Sequence, residues 1–169
     1  MKTMTLKMFT AIGLTGLSLP LLALEPNLMP PKTLPNATEY SATLLPDRQG
    51  IVSWKSLASV EQAKGPDMAP RFSKEILDLD KQSVRVQGFI LALDLGEQQR
   101  HFLVSAVPPH CPFCMTVGPE ALVEVFARKA IRYSMEPVVV SGKLAVLKND
   151  PSGMLYRLTE AEPSEVPVK

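Results

Sequence analysis

Several residue types are scarce in this sequence, and each scarcity excludes a class of protein. Aromatic residues make up 6% of the chain, with a single Trp, which argues against a broad aromatic ligand groove. Two cysteines are too few for a disulfide-dense scaffold. The formal net charge is only +1, so the chain lacks the excess of Lys and Arg with which proteins bind the phosphate backbone of nucleic acids. We therefore expect no nucleic-acid partner.

What remains is the composition of a globular protein. The 169 residues are 46% hydrophobic and 21% charged, which suffices for one domain and is short for two. The chain has 16 prolines and 9 glycines, a balance that indicates many Pro-containing loops.

The first 23 residues are typical of a secretory signal peptide. Lys2 and Lys7 form a positive start, residues 8–22 carry no charge, and Ala23 offers a small residue before a cleavage site. The apolar run is shorter than the ~20 residues of a transmembrane helix, so we expect no transmembrane span in the mature protein. A retained membrane anchor is the alternative. The predicted location is the periplasm if the source is a Gram-negative bacterium.

The rest of the chain divides into three predicted segments: a flexible Pro-rich lead-in over 24–50, a single β-rich domain over 51–161 and a frayed tail over 162–169. One or two short helices are predicted early in the domain. Ser53 and Ser73 are suitable N-cap residues there, each placed ahead of apolar residues. Trp54 is expected to pack onto the domain rather than to bind a ligand.

From Ser83 onward, apolar residues alternate with polar ones at the period of a β-strand. Strands are predicted over 83–93, 101–106, 121–127, 137–148 and 154–159, and the third of these is also compatible with a helix. Gly88 and Gly142 interrupt the first and fourth strands and mark bends or bulges. Five bent strands favour a mainly β fold, a small antiparallel barrel of the OB type. A β-sandwich is the alternative.

Residues 108–119 contain the side chains best suited to metal binding or thiol chemistry. Cys111 and Cys114 are the two cysteines of the whole sequence, and their spacing is C-x-x-C. His110, one of only two histidines, comes directly before them. Prolines and Gly118 bound the segment, so we expect a loop between strands, where functional groups are often placed.

Metal binding is the first interpretation of this loop. Two thiolates at C-x-x-C spacing can converge on one tetrahedral ion, with Cys111 and Cys114 as soft ligands. Either His110 or His101 could supply a nitrogen ligand. Zn(II) fits this set, and Cu(I) is possible because Met115 offers a thioether. A site with fewer than four protein ligands would suit delivery of the metal better than a permanent structural role.

Two further interpretations stay open. In a thiol–disulfide oxidoreductase, a protonated His110 would favour the reactive thiolate of Cys111. Gly118 and Pro119 would break the helix that follows a thioredoxin motif, so such an enzyme would need another fold. In an interaction module, Cys111 and Cys114 would form an inert structural disulfide. No known catalytic motif is present and we name no catalytic residue, so an enzyme is the less favoured class.

The stretches that carry a family resemblance lie at 77–80, 84–89, 101–104, 118–119, 123–125 and 137–142. In this order they resemble the bacterial exported family called domain of unknown function 3299. The resemblance implies an exported small β domain, associated with metal or other ABC-type transport systems. This chain departs from the family in lacking a lipoprotein cysteine after its leader. The sequence therefore predicts a periplasmic accessory or carrier protein for a soft transition metal, with its C-x-x-C loop as the binding site.

Overall fold

The computed structural model describes residues 37–61, 69–109 and 117–165. The predicted signal peptide over 1–23 lies outside these residues, which all belong to one unit, Leu34–Lys169. The described helices are α1 (Ala37–Leu44), α2 (Trp54–Leu57) and α3 (Lys74–Asp78), with a 3₁₀ turn at Pro119–Ala121. The described strands are β1 (Val60–Glu61), β2 (Arg71–Phe72), β3 (Ser83–Ala92), β4 (Gln98–Ser105), β5 (Leu122–Arg132), β6 (Val138–Val146) and β7 (Tyr156–Pro163). None of the described helices is long and apolar enough to cross a membrane.

The five long strands form a closed barrel in the order β3-β4-β5-β7-β6, while β1 and β2 form a separate two-stranded sheet. This confirms the prediction of a mainly β, five-stranded, OB-like barrel with short N-terminal helices. It also resolves the helix-or-strand alternative for the third segment, because β5 is a strand over its whole length.

The prediction that the barrel is antiparallel is wrong for one strand pair. Four neighbouring pairs are antiparallel, but β5 and β7 run parallel. The reason is one of parity, because an odd number of strands cannot alternate in direction all the way around a closed ring. A five-stranded closed barrel must contain at least one parallel pair.

The two predicted bends coincide with changes in strand pairing. β3 pairs with β6 as far as Gly88 and with β4 from Phe89 onward. A Cβ atom on Gly88 would lie 2.5 Å from the carbonyl oxygen of Ser105, so only glycine allows this close approach. Gly142 lies where the register between β6 and β7 shifts. Both glycines therefore help the sheet to curve into a barrel.

The N-terminal helices cover one side of the barrel. The side chains of Ser53 and Ser73 cap α2 and α3 by accepting hydrogen bonds from the amides of Ser56 and Ile76, at 3.1 and 3.4 Å. Both caps were predicted. Helix α1 was not, because its residues fall in the predicted lead-in; it is followed by Leu45, which is buried in the core.

Trp54 and Tyr156 connect the helices to the barrel. Trp54 is buried, and its indole Nε1 donates a hydrogen bond to the carbonyl of Gln87 at 2.8 Å, which confirms its packing role. Tyr156 is fully buried in β7, and its hydroxyl donates to the carbonyl of Leu57 at 2.6 Å. The Trp54 Nε1–H and the Tyr156 hydroxyl are therefore both hydrogen-bonded within the apolar core, as is usual for buried Trp and Tyr side chains.

Candidate functional site

The predicted loop ligands His110, Cys111 and Cys114 lie outside the described residues. The structure does describe both stems of their loop. Ala106 and Ala121 are buried, and the amide of Ala106 donates a hydrogen bond to the carbonyl of Ala121 at 3.0 Å. The amide of the buried Val107 donates to Ser105 Oγ at 3.2 Å. The residues on either side of the segment that contains the C-x-x-C motif are therefore fixed on the barrel.

A groove of about 250 Å³ opens beside the second stem of this loop. Pro119 and the hairpin between β6 and β7 both form parts of its wall. The residues that line it are Val60, Pro70, Pro119, Leu147, Lys148, Asn149, Asp150, Gly153, Met154 and Leu155. Met154 and Asp150 thus line the same groove as Pro119.

His101 is the one predicted ligand within the described residues, and it lies on the outer face of β4. Its Nε2 atom is 2.9 Å from Oε1 of Glu124 on β5. Its ring is stacked on the ring of Phe126, with 4.3 Å between centroids and 10° between planes. The strand register places His101 directly opposite Phe126. The imidazole is therefore held both by a hydrogen bond and by ring packing.

A chain of ion pairs extends from Glu124 across the barrel surface. Oε2 of Glu124 accepts a hydrogen bond from Nε of Arg157 at 2.6 Å, and Nη2 of Arg157 donates to Oδ1 of Asp150 at 3.0 Å. The side chains of Glu124 and Asp150 are only 12% and 9% exposed, so these pairs are partly shielded from water. Arg157 also lies over Phe126, with its guanidinium carbon 5.8 Å from the ring centroid.

The charged groups of Glu124, Arg157 and Asp150 stabilise one another. Hydrogen bonds from Ser152 and then Arg157 hold the pKa of Asp150 below its usual value, against an opposing effect of burial. The hydrogen bond with Glu124, followed by that with Asp150, raises the pKa of Arg157. Asp150 also accepts hydrogen bonds from the amide and hydroxyl of Ser152. The Asp150 carboxylate in the β6–β7 hairpin is thus paired with Arg157 on β7. Through Arg157 and Glu124 it is connected to His101.

The part of the chain that the structure describes contains no group of three His, Cys, Asp or Glu side chains that could hold a metal ion. A complete metal site would need ligands from outside these residues. His101 lies five positions before Ala106, or about 16 Å along the strand at ~3.3 Å per residue. For His101 and Cys111 to share one ion, the loop would have to return along β4.

Sequence reasoning did not assign Glu124, Arg157 or Asp150 to the site. One signal was present, since the alternation of Glu124 and Phe126 with Val123 and Val125 places the first two on one face of a strand. Arg157 is 33 positions from Glu124 and pairs with it only through the parallel contact of β5 with β7. No local pattern in the sequence indicates that contact.

No protein-family model matches the sequence, and the search of curated proteins finds no match. Among solved structures, a crystal structure from Pseudomonas aeruginosa PAO1 matches the chain with a TM-score of 0.42. The chain is similar to a DUF3299 family protein. The two are 21% identical, and the match covers 59% of this chain and 70% of the other. DUF3299 is the family of unknown function that the sequence stretches resemble.

Proposed function

We propose that this protein is a periplasmic accessory or carrier that binds a soft transition metal through its C-x-x-C loop. Cys111 and Cys114 supply two thiolates, and His110 supplies a neighbouring nitrogen. The observation that carries the proposal is this concentration of ligands. Both cysteines and one of the two histidines of the chain lie within five positions of one loop.

The chemistry of these ligands favours Zn(II), with Cu(I) as the alternative. Zn(II) takes thiolate and imidazole ligands in a tetrahedral arrangement, whereas Cu(I) prefers thiolate and thioether sulfur. A loop carried on a rigid barrel, with both stems hydrogen-bonded, supports presentation of the ion to a partner. Fewer than four protein ligands would leave a coordination position for the acceptor.

The proposed context is metal handling outside the cytoplasm. The leader over 1–23 directs export, and the proposed partner is a metal or other ABC-type transport system. Cysteines in that compartment meet oxidising conditions, so a bound metal would protect the thiols from forming a disulfide. A thiol–disulfide oxidoreductase and an interaction module with a structural disulfide are the competing functions.

The first experiment measures metal and thiols on one sample. The full chain, exported with its own leader in a Gram-negative host, is purified without chelator. We expect near-stoichiometric zinc or copper, and two free thiols after the metal is removed. Cys111→Ser should abolish metal retention because one of two soft ligands is lost. Ser83→Ala, at an exposed position of β3, should leave metal retention unchanged.

The competing functions give different results. Protein without metal and without free thiols would contradict the carrier function. A titration of the reduction potential would then separate the two remaining functions. An oxidoreductase would have a readily reduced disulfide, and its Cys114→Ser variant would trap a mixed disulfide formed when the Cys111 thiolate attacks a substrate disulfide and releases the other substrate thiol. An inert disulfide in the unchanged protein would indicate an interaction module.

A further inference from the structure

Two loops lie side by side at one end of the barrel. The loop over 93–97 joins β3 to β4, and the loop over 133–137 joins β5 to β6. The amide of Tyr133 donates a hydrogen bond to the carbonyl of Glu97 at 2.7 Å, which connects the two loops. They therefore form one surface, which we call the loop end of the barrel.

Three large apolar side chains are exposed on the loop end, and we call them the apolar tips: Leu93, Leu95 and Met135. Leu93 and Met135 are 50% and 56% exposed, and Leu95 is fully exposed. A Cβ atom on Gly96, next to Leu95, would have no heavy atom of the described residues within 4 Å apart from those of its chain neighbours. This loop therefore projects into open space. Apolar side chains grouped on a projecting surface are typical of a contact with a partner or a membrane.

The loop that carries Leu95 is held in shape by a buried side chain. Gln99 is fully buried, and its Nε2 atom donates to the carbonyls of Asp94 and Gly96 at 3.0 and 2.7 Å. Leu95 lies between these two anchored residues. The loop thus presents Leu95 on a fixed backbone, and little conformational entropy is lost when the side chain makes a contact.

Three cations are set back from the apolar tips, and we call them the basic cluster: Arg100, Arg128 and Lys129. Arg100 lies in β4 where the register with β5 shifts, and the other two lie in the part of β5 opposite this shift. All three are exposed. None of them has an ion-pair partner within the part of the chain that the structure describes.

The net charge of the loop end is positive even when its acidic residues are counted. These are Asp94, Glu97 and Glu136, of which Glu97 is paired with Arg132, with 3.1 Å between Oε2 and Nη2. Arg132 and the basic cluster give four positive charges against three negative ones, so one positive charge is in surplus. The positive charges without a partner complement an anionic surface.

A lipid bilayer fits this combination better than a protein partner does. The apolar tips project from the barrel, so a protein would need a pocket shaped to receive them, whereas lipids can move apart around an inserted side chain. Apolar side chains are stabilised at the boundary between headgroups and acyl chains, and cations behind them can meet the lipid phosphates.

We infer that the loop end binds the surface of an anionic phospholipid bilayer, with the apolar tips entering the interface and the basic cluster on the lipid phosphates. This inference does not depend on the proposed metal-binding function, because it concerns other residues and another chemistry.

Sedimentation with vesicles tests the inference on the full, exported protein. We expect binding to vesicles of phosphatidylglycerol and phosphatidylethanolamine in equal amounts, weaker binding at high salt, and little binding to phosphatidylcholine alone. Leu95→Ser should weaken binding about tenfold, because an inserted leucine is lost. Leu77→Ser is the matched control, since Leu77 is also exposed but lies on α3, ahead of β3.

A second pair of variants tests the charges. Arg128→Gln should weaken binding to the anionic vesicles about fivefold, as expected for one cation near such a surface. Lys143→Gln should leave binding unchanged, because Lys143 is exposed opposite Ser83, at the other end of β3. Circular dichroism checks that each variant is folded.

A fluorescence measurement identifies the part of the protein that enters the lipid. In Leu95→Trp, we expect the added indole to be quenched by phospholipids with brominated acyl chains. In Leu77→Trp, the added indole should not be quenched. The buried Trp54 gives the same background in both variants.

Three results would overturn the inference. The first is an unchanged protein that does not bind the anionic vesicles. The second is equal binding by Leu95→Ser and Leu77→Ser, because another part of the chain would then hold the lipid. The third is self-association, measured by analytical ultracentrifugation, that Leu95→Ser abolishes in a protein without affinity for vesicles, since the loop end would then be a protein contact. Metal content is measured separately, so either proposal can fail while the other stands.

Discussion

Some single side chains stabilise this fold by making a hydrogen bond with a buried polar atom that is distant in the sequence. Tyr156 and Leu57 are 99 positions apart and are joined by one hydrogen bond. Burial, followed by the negative charge of Glu120, raises the pKa of the Tyr156 phenol, so the hydroxyl stays protonated and can donate. The ring also packs edge-on against Phe72, with 5.9 Å between centroids. This residue therefore links β7 to the helical side of the domain.

Replacing Tyr156 by Phe should destabilise the protein by about 1–2 kcal/mol, because the buried carbonyl of Leu57 would lose its partner. The free energy of unfolding in urea, measured by circular dichroism, tests this. Tyr133→Phe is the matched control, since Tyr133 is only partly buried and should tolerate the change. Equal stability of the two variants would show that the hydroxyl of Tyr156 contributes nothing.

At the scale of elements, the curvature of β3 depends on one residue without a side chain. Gly88 is buried where β3 changes its partner from β6 to β4, and a Cβ atom at this position would also lie 3.1 Å from the Trp54 ring. The helix that contains Trp54 is itself begun by the Ser53 cap. A local cap, a packed indole and a glycine thus combine to place the helical layer on the barrel.

Gly88→Ala should destabilise the protein by about 1–3 kcal/mol, because the added methyl group would overlap the backbone of β4 and force it to move. The methyl carbon would lie 2.5 Å from the Ser105 carbonyl oxygen and 2.6 Å from a methyl of Val104. Thermal and urea unfolding measure the loss. Ser83→Ala, at the exposed start of the same strand, should change stability little. If Gly88→Ala matched that control, the close packing at this position would be disproved.

At the scale of the whole molecule, the ion pairs tie the barrel together. Glu124 is on β5, Arg157 is on β7, and Asp150 is in the hairpin between β6 and β7. The Glu124–Arg157 pair lies across the parallel contact of β5 with β7, one of the two barrel contacts between strands that are not consecutive in the chain. The Arg157–Asp150 pair connects β7 to the hairpin before it. The charges therefore support a contact that no hairpin holds together.

Stability should fall in acid as Asp150 takes up a proton. The pKa of Asp150 is lowered in the folded protein from its usual value of 3.8. A lowered carboxyl pKa adds stability that is present above the unfolded pKa and is lost as pH falls through the folded one. We expect the free energy of unfolding to decline below about pH 4 as this carboxylate is protonated. Urea unfolding between pH 7 and pH 3 gives the profile.

Asp150→Asn is the comparison for this profile. The variant should be less stable at pH 7, because Arg157 loses an anionic partner, and its stability should decline less steeply in acid. Parallel profiles for the two proteins below pH 4 would contradict a role for Asp150 in acid stability.

Much of the local structure could be predicted because it depends on neighbouring residues. The Ser53 and Ser73 caps, the alternating strands and the bends at Gly88 and Gly142 each follow from a few adjacent positions. The same holds for the grouping of His110, Cys111 and Cys114, which is a fact of the sequence itself. Their function as metal ligands stays a prediction.

The contacts around His101 could not be predicted in this way, because they join residues 23 and 33 positions apart. They depend on the register of β4, β5 and β7, and a shift of one residue would turn Glu124 toward the core. The strands, the helix caps and the grouping of both cysteines in one short segment follow from the order of the residues alone. Only the closed barrel decided which strands run parallel and which charges meet, because closure brings together residues that no local pattern connects.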